Sequence, residues 1–113
     1  MSLTAHQRIV SKIEYDNSIS PFNWGMEELA NLLAQYCPNS RIDGETGVLD
    51  SWELYIPDIK QAIKSLSERN QGEKVVNKYT VKDVIKVLKH WLNTQDKNKE
   101  NIAFDDIVYI DWF

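Results

Sequence analysis

Two histidines, one cysteine and seventeen acidic side chains are the main groups through which this 113-residue chain can do chemistry. A histidine works as a general base only where a neighbour orients its ring. His6 stands close to the start of the chain. His90 has Lys89 beside it and Asp83 and Lys86 on the same polar side, with no evident orienting carboxylate, so it reads as a surface histidine. Cys37 lies on an apolar helical stripe just before Pro38 and reads as a buried structural thiol. A lone cysteine forms no internal disulfide and no metal cluster by itself, which makes a reduced, cytoplasmic setting the default. The stretch NSRIDGETGVLD, residues 39–50, has the Asp-Gly of a calcium loop, but Arg41 stands where an oxygen ligand is needed and the closing bidentate Glu is missing. Gly44 and Gly47 are too few to cradle a phosphate. No nucleophile elbow, Walker sequence or zinc-protease helix is present. The chain therefore reads as a non-enzyme with no catalytic residue, metal or cofactor.

What is left is charge. The net charge is −4, distributed unevenly. Residues 1–13 carry +2, residues 14–58 carry −8, residues 59–100 carry +5 and residues 101–113 carry −3. Such asymmetry speaks to partners and association, not to fold. Asp43, Glu45, Asp50, Glu53 and Asp58 bracket SWELYI, which also holds Trp52 and Tyr55; Asp105, Asp106 and Asp111 bracket Tyr109. Carboxylates that steer and aromatics that anchor suit capture of a basic protein. The candidate contact residues are Asp43, Glu45, Asp50, Glu53, Tyr55, Asp105, Asp106, Tyr109 and Asp111. Trp52 and Trp112, on the apolar faces of their strands, are expected in the core. Lys78, Lys82, Lys86 and Lys89 form an alternative basic ridge along the third helix, able to meet nucleic-acid phosphates. The acidic balance, with an isoelectric point near 5.1, argues against a free-standing nucleic-acid binder, and no RNA-type aromatic signature accompanies the lysines.

The elements that must position these groups follow from periodicity. RIVSKIEY, residues 8–15, alternates with Ile9, Ser11, Ile13 and Tyr15 on one face, which predicts a strand. Met26, Leu29, Ala30, Leu33, Tyr36 and Cys37 make one helical stripe, with Asn23 as expected N-cap, Glu27 and Glu28 in the first turn and Pro38 as the stop. Residues 39–50 read as a turn-rich loop. DSWELYI predicts a short strand, and Pro57 opens a second helix with Ile59, Ala62, Ile63 and Leu66 inward. GEKVVNKY reads as a polar connector. Thr80 and Asp83 form a near-capping box ahead of Val81, Val84, Ile85, Leu88, Trp91 and Leu92. TQDKNKEN is a loop, and FDDIVYIDWF is the last strand, with Val108, Ile110 and Trp112 on one face and Ile107, Tyr109, Asp111 and Phe113 on the other.

The order β-α-β-α-α-β in a chain of this length predicts a single α+β domain: a small antiparallel or mixed three-stranded sheet packed on three helices. An apolar fraction of 42% with four Trp and five Tyr is enough for a core. No apolar run is long enough to span a membrane, and the opening residues do not read as a signal peptide.

A strand running into a helix (SWELYIPDIKQAIKSL), a helix begun by YTVKDVIKVLKHWL and the closing strand DIVYIDWF together resemble the small immunity proteins of bacterial contact-dependent growth inhibition and polymorphic toxin systems. The likeness covers roughly residues 50–113 and is one of pattern, without a diagnostic motif. It implies a non-enzymatic protein that binds and neutralises a cognate toxin domain, in many cases a basic nuclease. The acidic half would then cover the toxin's substrate cleft, with the lysine ridge facing away.

Overall fold

The computed structural model describes residues 4–9, 14–16, 21–22, 25–42, 51–98 and 106–112. Strand β6 (Ile107–Trp112) lies at the centre of an antiparallel sheet, between β1 (Ala5–Ile9) and β3 (Ser51–Tyr55). The register pairs Gln7 with Ile110 on one side and Trp52 with Ile110 on the other. A short strand β2 (Glu14–Tyr15) adds to the outer edge of β1. The expected single strand over 8–15 is therefore corrected to a reversal: Arg8 pairs with Tyr15 and Ile9 with Glu14. Alternation alone carries no information about where a strand turns back.

Alternation decides which side of the sheet is dry. Ala5, Gln7, Trp52, Leu54, Val108, Ile110 and Trp112 are all buried. The rings of Trp52 and Trp112 lie 5.0 Å apart across the sheet, in the range of favourable aromatic pairs. Onto this face pack α1 (Met26–Ala34), α2 (Ile56–Leu66) and α3 (Val81–Lys97), giving the expected α+β architecture. The capping box of α3 is formed: the Asp83 amide donates to Thr80 Oγ1, and Thr80 N donates to Asp83 Oδ2. Two buried glutamines pin α3 to the sheet. Gln7 Nε2 donates to the Trp91 carbonyl at 2.8 Å, and Gln95 Nε2 donates to the Ile107 carbonyl at 2.7 Å. Such bonds fix the helix's depth and rotation as well as its adhesion.

Further expectations change. The stretch TQDKNKEN, expected as a loop, is helical from Thr94 to Lys97, the end of α3. The polar connector is a hairpin, β4 (Lys74–Val76) with β5 (Tyr79–Thr80), turning at Asn77, whose φ of 52° suits an asparagine. The N-cap of α1 is Gly25 instead of Asn23, which lies outside the described residues. Space selects the glycine: a Cβ there would come within 2.6 Å of Val76 Cγ1, where the hairpin crosses the start of the helix.

Candidate functional site

With the described helices on one side of the sheet, the other side is left to half-exposed groups that are polar or aromatic except for Ile107: His6, Arg8, Tyr15, Ser51, Glu53, Tyr55, Tyr109 and Asp111. Strand pleat and register bring Glu53, Tyr55, Tyr109 and Asp111, four of the residues singled out above, onto this one face. Asp106 is exposed just before β6. Asp43, Glu45, Asp50 and Asp105 lie outside the described residues. Asp58, counted with them as a steering acid, is buried at the first turn of α2 and belongs to the core.

The centre of the face is a closed set of hydrogen bonds. Asp111 accepts from Arg8 Nη2 at 2.6 Å and Nε at 2.9 Å, from Ser51 Oγ at 2.6 Å and from Tyr15 Oη at 2.8 Å. The Arg8 guanidinium also lies 5.3 Å from the centroid of the Tyr109 ring. The fork of an arginine against both oxygens of a carboxylate fixes orientation as well as charge. Burial alone would raise the Asp111 carboxyl, but the hydrogen bonds from Arg8, Ser51 and Tyr15 outweigh it and hold the group below its ordinary value. The Tyr15 hydroxyl moves the other way, raised first by burial and then by its bond to Asp111. Tyr109 is raised by burial and by the charge of Glu53. Asp111 thus organises the face instead of standing free for a partner's cation. Glu53 meets Arg41 at 3.2 Å, in an exposed pair that solvent screens.

A group whose carboxyl is depressed on folding stabilises the fold above its unfolded value, near pH 4, and loses that contribution as pH falls through the folded value. Asp111→Asn is therefore expected to lower stability at pH 7 by about 1–2 kcal/mol. The gap to the unaltered chain should begin to close as the pH falls below about 4, where the carboxyl of the unfolded chain takes up its proton, and close no further once the pH is below the folded value. Denaturant melts across that range test this; a gap that stays constant down to pH 2 contradicts it.

The edge of the sheet next to β3 is covered by residues 40–41. Arg41 and Glu53 exchange backbone hydrogen bonds, and the Tyr55 amide donates to Ser40 Oγ. This capping blunts an edge that would otherwise invite pairing with another chain.

The lysine ridge is only partly on the helix. Lys82, Lys86 and Lys89 are exposed on α3, but Lys78 belongs to the turn between β4 and β5. Between that hairpin and α3 runs an open groove of about 540 Å³, lined by Pro21, Lys78, Tyr79, Asp83, Lys86, Val87 and His90. His90 is not the partnerless surface histidine expected: its Nε2 meets Asp16 Oδ2 at 2.6 Å, and its side chain is half-buried. Asp16 lies 74 positions earlier, so no local pattern could show the pair. No serine, threonine or cysteine is among the described residues lining the groove. Cys37 is buried, and its thiol is pushed up to about 12, chiefly by burial and then by the charge of Asp58, so it is unsuited to attack. Among the described residues no cluster of three or more His, Cys, Asp or Glu side chains could hold a metal, and no helix is long and apolar enough to cross a membrane. Compared with known proteins, the chain matches no family model, no curated protein and no solved structure.

Proposed function

We propose that this chain is a non-enzymatic immunity protein that uses the outer face of its sheet to bind and neutralise a basic, nuclease-type toxin domain. The observation that carries the reading is the construction of that face. A sheet side turned away from the core presents three half-exposed tyrosines, Tyr15, Tyr55 and Tyr109, around the Arg8–Asp111–Ser51 network. Aromatic rings on a rigid, pre-ordered backbone are the anchors that dominate protein interfaces, because little entropy is lost when they dock. Glu53 and Asp106 flank them, and the acidic segment 43–50 and Asp105 adjoin the same sheet strands in sequence. The pattern resemblance to immunity proteins supplies the partner class, and the uneven charge supplies its sign.

The test is co-expression with the toxin domain encoded beside the gene for this chain. Growth should be restored, and complex formation should slow and weaken as salt rises. Tyr109→Ala and Glu53→Lys should weaken binding about tenfold or more, that is by about 1.4 kcal/mol or more, with little change in melting. No adjacent toxin gene, no protection, or protection and affinity unchanged by both variants would overturn the reading.

A further inference from the structure

We propose that the groove between the β4–β5 hairpin and α3 binds a nucleotide unit, a ring bearing a phosphate, with Lys78 and Lys86 meeting the phosphate and Tyr79, Pro21 and Val87 receiving the ring. The groove's volume of about 540 Å³ is in the range of small-molecule sites. Its lining combines an apolar wall with separate cations, which is what a ligand with a flat body and a charged end requires. The lysines come from opposite walls, Lys78 from the hairpin turn and Lys86 from the helix.

The charges in the groove are unequal in availability. Asp83 accepts from the Thr80 amide and hydroxyl as part of the helix cap, and Asp16 meets His90. Arg8, Arg41 and Arg69 each have a carboxylate partner. Lys78 and Lys86 have none among the described residues and are exposed on flexible stems, free to meet a phosphate as point charges. Tyr79 is held by edge contact with the buried ring of Phe22 at 5.3 Å between centroids, so the platform is rigid before anything binds. Nucleotide bases stack on such fixed aromatic rings without sequence preference. A peptide rich in Asp or Glu would satisfy the lysines but leave the apolar wall bare. The groove is on the helical side of the molecule, so this inference stands independently of the toxin-binding reading of the sheet face.

The source is either a free nucleotide or one unit of a single strand, whose neighbouring phosphates would meet Lys82 and Lys89 on adjoining turns of α3. The test is a titration of the full chain at low salt, followed by NMR, with uridine and adenosine monophosphate, inorganic phosphate and a short oligouridylate. Expected are shifts at Lys78, Tyr79, Lys86 and His90 with a nucleotide, and a loss of affinity of about tenfold in Lys78→Ala/Lys86→Ala that melts as the unaltered chain does. Saturation by the monophosphate identifies the free source; binding at the same residues by the oligonucleotide alone identifies the strand. The proposal is overturned if phosphate alone reproduces the shifts with equal affinity, if the shifts fall on Lys82 and Lys89 without the groove, or if no probe moves these resonances.

Discussion

Removing residues 108–113 is expected to abolish cooperative unfolding altogether. Residues 108–112 belong to β6, inside the sheet, with Ala5, His6, Gln7 and Arg8 paired on one side and Ser51 through Leu54 on the other. Its loss separates β1 from β3 and leaves two edges where there was one continuous ladder. Val108, Ile110 and Trp112 are buried, and side chains of this kind are worth about 1.5–3 kcal/mol each. Together that is roughly 5–9 kcal/mol, the order of the whole stability of a small domain. The partner Trp52 would be uncovered at the same stroke, since its ring packs against Trp112. Circular dichroism and a thermal melt of the truncated chain decide the matter; a single cooperative transition would show that the core closes without β6. Ile110→Ala provides a graded arm that need not unfold the protein, with an expected cost of about 2–5 kcal/mol.

That strand was legible because its pattern and its environment agree. Val108, Ile110 and Trp112 alternate with Tyr109 and Asp111, and the sheet buries the first set and exposes the second. The same holds for Trp52 and Leu54 against Glu53 and Tyr55, and for the stripe of α3 with its Thr80–Asp83 cap. Periodicity fails where the chain turns without a break in alternation. RIVSKIEY has no Gly, Pro or Asn to mark the reversal that pairs Arg8 with Tyr15. The β4–β5 hairpin did leave a signal, Val75–Val76 and Tyr79–Thr80 about Asn77, but its lysines and glutamate outweighed it. Gly25 as a cap depends on the approach of Val76, fifty-one positions later, and nothing local announces it.

The candidate site divides along the same line. That Glu53, Tyr55, Tyr109 and Asp111 share a face follows from strand alternation and was readable once the two strands were placed. What each does on that face was not. Arg8 reaches Asp111 across 103 positions and Asp16 reaches His90 across 74; the first pair exists because β1 lies beside the last strand, and the second joins the residue that follows β2, on the outer edge of β1, to α3. An acidic side chain in a list of charges looks the same whether it faces solvent, organises a network or lies in the core. Asp111, Glu53 and Asp58 are one of each, Asp111 the organiser, Glu53 the half-exposed one and Asp58 the buried one.

Asp58 carries the second large expected effect: Asp58→Ala should destabilise the fold by about 3–4 kcal/mol. The residue is 5% exposed, and its carboxylate accepts from the Asn39 amide at 2.8 Å, from Asn39 Nδ2 at 3.3 Å and from Ser40 Oγ at 2.9 Å. Ser40 Oγ in turn accepts from the Tyr55 amide at 2.8 Å, at the point where β3 passes into α2. One side chain therefore ties the end of the α1 turn, the strip that covers the sheet edge and the first turn of a helix. Alanine removes the acceptor and leaves the Asn39 amide and the Ser40 hydroxyl without it, so the cost exceeds that of a single exposed bond. At roughly 4 °C per kcal/mol for a chain of this size, the midpoint should fall by roughly 12–16 °C. Asp58→Asn keeps one acceptor oxygen and should lose about 1–2 kcal/mol, and Ser40→Ala a similar amount. The two readings of this acid separate cleanly in one experiment. A steering role predicts that Asp58→Asn slows association with a basic partner and leaves the melt unchanged. The buried network predicts a lower melt with unchanged association of the folded fraction, and the former result would remove Asp58 from the core.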